Sequence, residues 1–539
     1  MNNKNNFNSK RNDFQKKGFS SEYKEFKAPE RIDIKNISKD CIGEKYNLIA
    51  RIENISQTSG PTLFMIFDGS GTVTAKAFAG AGQRALPDLN IGDVIDVIVQ
   101  IREHQNEIEA EIESSKVIPK EDFERMLENK IKEFSKPLDV EFTIKSPVLD
   151  RLKPKIIKVS AEIRRAIIEG RPIILRHHAD CDGYCGGIAL ERAILPLIEE
   201  NNSRDLWRLY KRLPSKAPFY EIADVTKDLA MALEDMERYG LKEPLVIIVD
   251  NGSTHEDVLA IKKLKIYGAK IVVIDHHYPG KVENERSEVD NYVDVHVNPY
   301  LVGGDSNLCA GMLGCEVSRF LYKEPFNIKY LAALSGTSDR CKGKEFEQYL
   351  EIAKEKGYSQ EYLREVAECV DFEAHYIRFM ESRGLVNDML GQDRSKQEKL
   401  VKLLIADINE RKEKQLVVAK HYARSQRHND VIIVELDATE VTNRGDYPAV
   451  GKTVGMIHDS FLSENPKVIT LGYGEDFITL RASDSVKINV NDIVEKLQTE
   501  RPHTFSEGGG HEHAGTVKFI PAAGDEVKEF VISEIKKMN

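Results

Sequence analysis

With 539 residues the chain is too long for one ordinary core, and at least three domains are expected. A formal charge of −11 and a pI near 5.8 exclude a protein that coats nucleic acid by bulk charge, so such a partner has to sit in a local groove. Seven scattered cysteines, an odd number without CxxC spacing, argue against a disulfide framework and a structural zinc, and point to a reducing cytoplasm. Every apolar run falls far short of the roughly 20 residues that span a bilayer, and the N-terminus lacks the apolar core of a secretory signal.

Residues 1–28 are poor in aliphatics and net basic through Lys4, Lys10, Arg11, Lys16, Lys17, Lys24 and Lys27, the composition of a disordered tail. From 29 to 118, five short runs (46–52, 63–68, 73–78, 94–101 and 108–112) separated by glycine-rich turns predict a small closed β-barrel. The phrases "GPTLFMIFDGSGTVTAKAF" and "NIGDVIDVIVQI" resemble the OB-fold of nucleic-acid-binding proteins. Exposed Phe64, Phe67 or Phe78 would offer stacking faces to bases, although strand alternation favours the core for each.

Residues 119–170 read as a charged, amphipathic helical connector. From 171 to 400, "RPIILRHH", "PLVIIVD" and "KIVVIDHH" alternate with helical stretches and each ends in polar residues where the apolar run stops. That pattern predicts a parallel sheet with functional residues at its strand ends. A long helix through 398–423, with its charges on a solvated face, links this domain across 401–425 to a smaller α/β domain at 426–539.

The chemistry gathers at those strand ends. Asp180 and Asp182 follow the first strand, and their alternate spacing in an extended turn would aim both into one cavity. Asp250 ends the second strand, Asp275, His276 and His277 end the third, and Asp339 follows the small-residue phrase "LSGTSD". One sheet edge would then gather at least four carboxylates and two or three imidazoles, a donor set that suits Mn²⁺ or Mg²⁺.

Together, "HHADCDGYCGG", "VDNGS", "IDHHYPG", "SGTSD" and the distant "SEGGGHEHAGTV" resemble the DHH phosphoesterases, and among them the archaeal RecJ-like single-strand exonucleases. The resemblance covers about 170–520 and implies a DHH domain followed by a smaller DHHA1-type substrate-binding domain. It implies that two divalent metal ions are held, one by His178, Asp180 and Asp250, the other by Asp182, Asp250, His276 and Asp339. His178 is taken over His177 because it keeps alternate spacing with the two aspartates. Catalysis would rest on Asp180, Asp250 and His277, with His277 facing the scissile phosphate and Asp275 as a structural member of the motif. The glycine turn Gly508, Gly509 and Gly510, with His511 or His513, and Arg481 would hold the end of the substrate.

The resulting expectation is a metal-dependent exonuclease acting on single-stranded DNA or RNA, in the setting of repair or replication. Two other readings compete. A short-oligonucleotide or cyclic-dinucleotide phosphodiesterase would need no OB-like domain. A scaffold for replication-helicase complex proteins would not need every one of Asp180, Asp182, Asp250, His276 and Asp339 in place.

Overall fold

The computed structural model describes residues 29–104, 107–201, 206–377, 383–443 and 445–538; the basic tail expected at 1–28 lies outside them. The N-terminal barrel comprises β1 (Lys45–Gln57), β2 (Thr62–Phe67), β3 (Thr72–Ala77), β4 (Val94–His104) and β5 (Glu107–Ile118), closed in the order β1-β2-β3-β5-β4. Alternate residues such as Leu48, Ala50 and Ile52 face its core. Phe64 and Phe67 are fully buried, whereas Phe78 is 64% exposed. Many of the barrel's cations are already paired, Lys45 with Glu113, Lys76 with Glu109 and Arg102 with Glu111.

Two helices lead out of the barrel, α1 (Lys120–Phe134) and α2 (Pro147–Ile168); Ser146 caps α2 by accepting from the Val148 and Leu149 amides, and Pro147 opens it. The central sheet holds β6 (Ile173–His178), β7 (Tyr210–Ser215), β8 (Leu245–Val249), β9 (Lys270–Ile274) and β10 (Val295–Val297) in the order β10-β9-β8-β6-β7, all parallel. Val246, Ile247, Ile248, Val272 and Val273 are buried from both faces, which is why these strands read as unbroken apolar runs. The helices α3 (Cys181–Asn201), α4 (Leu206–Leu209), α5 (Ile222–Tyr239) and α6 (Val258–Ile266) lie between the strands in sequence, and α7 (Ala310–Leu321), α8 (Ile328–Ser338), α9 (Lys344–Glu355), α10 (Gln360–Ile377) and α11 (Arg383–Met389) follow.

The linking helix α12 (Arg394–Tyr422) starts earlier than the charge pattern suggested, because Asp393 caps it by accepting from the Lys396 amide. At about 1.5 Å per residue it is about 43 Å long. Only Gln397, Val401, Ile408 and Ala419 are buried along it, so most of its surface is solvated. The C-terminal sheet contains β11 (Arg424–His428), β12 (Val431–Asp437), β13 (Val468–Tyr473), β14 (Phe477–Ala482), β15 (Glu507–His511) and β16 (Ala514–Lys518), in the order β11-β12-β13-β14-β16-β15. It is accompanied by α13 (Ala438–Val441), α14 (Val450–Leu462), α15 (Val490–Glu500) and α16 (Gly524–Met538).

The barrel docks beneath the central sheet. Asn54 donates to the Tyr239 carbonyl at 3.2 Å, and Lys242 pairs with Glu53 at 3.2 Å, both just ahead of β8. These contacts sit at the N-terminal edge of the strands. The C-terminal edge, where the polar residues gather, is about 17–20 Å away for strands of this length.

Candidate functional site

At the C-terminal edge of the central sheet, three strand ends and two helix ends bring carboxylates and imidazoles together. His178, the last residue of β6, has Nδ1 2.9 Å from Asp180 Oδ2 and 3.5 Å from Asp250 Oδ2. His276 has Nε2 3.3 Å from Asp250 Oδ1, 3.6 Å from Asp182 Oδ2 and 3.7 Å from Asp339 Oδ2. Ligand atoms of His178, Asp180 and Asp250 form one tight group and those of Asp182, Asp250 and His276 another, so Asp250 belongs to both. Asp339 borders the second group without joining it. His177 turns away: Arg212 donates to its Nε2 at 3.2 Å, and burial with that cation lowers its pKa to about 3.

The local structure departs from the extended turn expected for Asp180 and Asp182. Helix α3 begins at Cys181, so Asp182 lies in its first turn while Asp180 precedes it, accepting from the Gly183 amide at 2.9 Å. The two carboxylates are splayed, one toward each group. Asp182 accepts from the Ala310 and Gly311 amides at the start of α7, both at 3.0 Å, and from the Ser335 hydroxyl. Asp339 is likewise no strand end; it caps the C-terminus of α8.

The charge balance calls for cations. Burial and the neighbouring Asp250 push Asp182 up to about 8, and burial raises Asp339 as well. Burial works against a charged His276, yet Asp339, Asp182 and Asp250 raise its pKa well above the usual imidazole value. Asp250 Oδ2 is buried without a hydrogen-bond partner. A fully buried carboxylate oxygen left unsatisfied among oxygen and nitrogen donors, with no sulfur, fits two hard divalent ions.

The C-terminal domain closes the site from above. His511, at the end of β15, stacks on His277 with centroids 4.7 Å apart and planes 9° from parallel, and its Nδ1 is buried with no partner. Burial and the adjacent His277 and His276 push its pKa well below the usual value, keeping it neutral. Between the two domains runs a cleft of about 1390 Å³ whose walls include His178, Asp339, Arg481 and His511.

The family described as "DHH family, N-terminal domain" matches residues 172–337, which hold every strand end in this cluster. An uncharacterised protein of Methanocaldococcus jannaschii is 42% identical over 538 residues, covering 94% of this chain and 71% of the relative. The chain belongs to the DHH family. A solved DHH domain, described as that of a member of a family of ribosomal proteins, has 44% identity and a TM-score of 0.74, covering 78% of this chain and 98% of that one. RecJ of Thermus thermophilus in complex with Mn²⁺ has 16% identity and a TM-score of 0.49, covering 71% and 55% respectively.

The DHH triplet itself is tied together by its aspartate. Asp275 Oδ1 accepts from the His276 amide at 2.7 Å, the His277 amide at 3.2 Å and His277 Nδ1 at 2.8 Å. The glycines at 508–510 form a strand rather than a tight turn. A side chain at Gly508 or Gly510 would collide with the Thr516 or Ala514 carbonyl of β16, so glycine is required for β15 to pair that closely. His513 points away and meets the Val486 carbonyl at 3.2 Å, while Arg481 on β14 is exposed to the cleft. Arg340, adjacent to Asp339, is held by a bidentate pair with Asp459 of α14, both bonds 2.9 Å.

The DHH motifs gave no sign of Asp371 and Lys452. Asp371 accepts from the Cys181 amide at the start of α3 and, at 3.0 Å, from Lys452 of α14. Asp371 lies in the 346–425 segment, whose charges read as a solvated face, and Lys452 on a helix the sequence pattern did not mark, so only their contacts with α3 and with each other reveal them.

Proposed function

We propose that this DHH protein is a divalent-metal-dependent exonuclease hydrolysing the phosphodiester bonds of single-stranded DNA or RNA. The observation that carries the reading is Asp250, shared between two His/carboxylate groups on one sheet edge. His178, Asp180 and Asp250 would hold one ion and Asp182, Asp250, His276 and Asp339 the other; two such Mn²⁺ or Mg²⁺ ions would supply Lewis acidity toward a phosphoryl oxygen and a water.

The chain's own side chains do the rest. His277 gives its Nδ1–H to Asp275; burial works against a charged ring, but Asp275 raises its pKa, and the protonated ring has an Nε2–H to donate to a phosphate oxygen. Neutral His511, stacked on that ring, is a second hydrogen-bonding partner. Arg481 offers a planar fork to non-bridging oxygens at the end of the strand. A cleft of about 1390 Å³ exceeds the roughly 300–1,000 Å³ typical of small-ligand pockets, which favours a strand over a dinucleotide.

The test is digestion of matched DNA and RNA oligonucleotides, labelled at either end, with Mn²⁺ or Mg²⁺. The Asp275→Ala/His276→Ala double variant is the control. Metal-dependent shortening from one end, lost in the variant, is the expected result; turnover confined to dinucleotides, or none, would overturn the proposal.

A further inference from the structure

Beneath the carboxylate-rich edge, and outside the cleft, a serine, a histidine and an aspartate stand in a row. Ser253 Oγ lies 2.8 Å from His296 Nε2, and His296 Nδ1 lies 2.9 Å from Asp290 Oδ2. The same carboxylate oxygen accepts from the amide and the hydroxyl of Ser287, at 2.9 and 3.0 Å. A carboxylate can only accept, so His296 donates from Nδ1; the neutral ring then accepts at Nε2 and the Ser253 hydroxyl is the donor.

In hydrolases such a row activates a serine. Here the serine is 0% and the histidine 1% exposed, and neither lines the cleft, so substrate has no access to them. The row leads into the DHH triplet instead. Ser253 Oγ accepts from Asn298 Nδ2 at 3.0 Å, and the same amide group donates to the His277 carbonyl at 2.9 Å. The Ser253 backbone N–H donates to Asp275 Oδ2 at 3.1 Å, on the far side of the carboxylate that holds the His277 ring.

We infer that Asp290, His296, Ser253 and Asn298 are positioning residues, a buried network of fixed hydrogen-bond direction that sets the orientation of Asp275 and, through it, of the His277 ring. Its consequence for catalysis rests on the reading of the site as a phosphodiesterase; its consequence for ring geometry does not. Each link has one sense. A carboxylate at Asp290 fixes the His296 tautomer, which fixes the serine proton, which leaves the serine oxygen to receive Asn298.

Asp290→Leu keeps the approximate size and removes the acceptor at the head of the row. With nothing to receive its Nδ1 proton, the His296 ring loses its fixed tautomer, and with it the sense of the serine link in a site without water access. Ser253→Ala removes one buried oxygen and cuts the row in the middle, and it serves where the first variant folds poorly. Two readouts apply to the full-length protein. Histidine-selective ¹⁵N labelling of the metal-free protein reports the tautomer and environment of the His277 and His296 rings. Steady-state cleavage of a labelled oligonucleotide reports kcat and KM separately.

The expected result is a shift of the His277 ring nitrogens in both variants and a roughly 10–100-fold fall in kcat at unchanged KM, the range seen when a partner behind a functional ligand is removed. Native His277 nitrogen signals in a folded variant would overturn the inference, whatever happens to the rate, as would shifted signals with native kcat. If the unmodified protein cleaves no strand, the phosphodiesterase reading fails, and the nitrogen signals still decide the network.

Discussion

Asp250 carries the heaviest demand of any single residue. It sits at φ +57°, in the left-handed region that non-glycine residues rarely occupy, and presents an unsatisfied buried oxygen. Replacing it by Asn removes charge without removing volume. Asp250→Asn is expected to lower cleavage on the order of 10³-fold, because several kcal/mol of charge stabilisation at about 1.36 kcal/mol per decade are lost. Titration calorimetry should find fewer bound ions per chain. The same variant should raise the melting temperature of the metal-free protein, since it relieves repulsion with Asp182 and Asp339. A fall in stability would contradict the crowding of carboxylates described above. At Asp290, burial raises the pKa, but the hydrogen bond from His296 outweighs it and holds the group at about 2 against an ordinary 3.8. A carboxylate depressed in the folded state stabilises fully above its unfolded pKa and loses that contribution as pH falls through the folded value. Acid denaturation should therefore be less steep between about pH 4 and 2 in Asp290→Asn, a comparison that circular dichroism can make.

Among the elements, β15 shows how backbone geometry delivers a functional side chain. Its pairing with β16 aligns Gly510 with Gly515 and His511 with Ala514, and that register sets His511 over the His277 ring. Gly510→Ala would drive a methyl into the Ala514 carbonyl and part the strands. Its expected effect is about 1–3 kcal/mol of lost stability, with a drop in kcat equal to or larger than that of His511→Ala. Thermal melts and initial rates check both. The Arg340 and Asp459 pair, with side chains 70% and 45% exposed, should matter less: Arg340→Ala is expected to change stability by under about 1 kcal/mol. The glycine phrase was legible in sequence as a special backbone site. That it is a strand and not an anion-cradling turn follows from a collision with β16, some residues away along the chain, which local pattern cannot express.

For the whole molecule, the decisive arrangement is the barrel and the carboxylate cluster at opposite edges of one sheet. A strand gripped by the barrel would have to pass along the protein before reaching the cleft. Phe78, exposed where Phe64 and Phe67 are buried, is the barrel aromatic best placed to stack on a base. Phe78→Ala should raise KM for long oligonucleotides by roughly 5- to 150-fold, the worth of about 1–3 kcal/mol of stacking, and leave short ones unaffected. Equal effects on both lengths would mean that the barrel does not reach the same strand as the cleft. Lys45, Lys76 and Arg102 of the barrel are each paired with one of its own carboxylates.

Strand type, sheet class and the identity of the clustered residues were set by the sequence, because a buried parallel strand must be apolar throughout and its polar end must fall where the apolar run stops. The tertiary structure alone decided the rest. It placed His178 beside Asp180 and Asp250 while turning His177 onto Arg212, and it set His511 over His277 while His513 meets the Val486 carbonyl. It also splayed Asp180 and Asp182 by starting α3 between them, and tied Asp290 and His296 to the DHH triplet through Ser253. Each of these depends on contacts between segments distant in the chain, and such contacts leave no local period in the residues that make them.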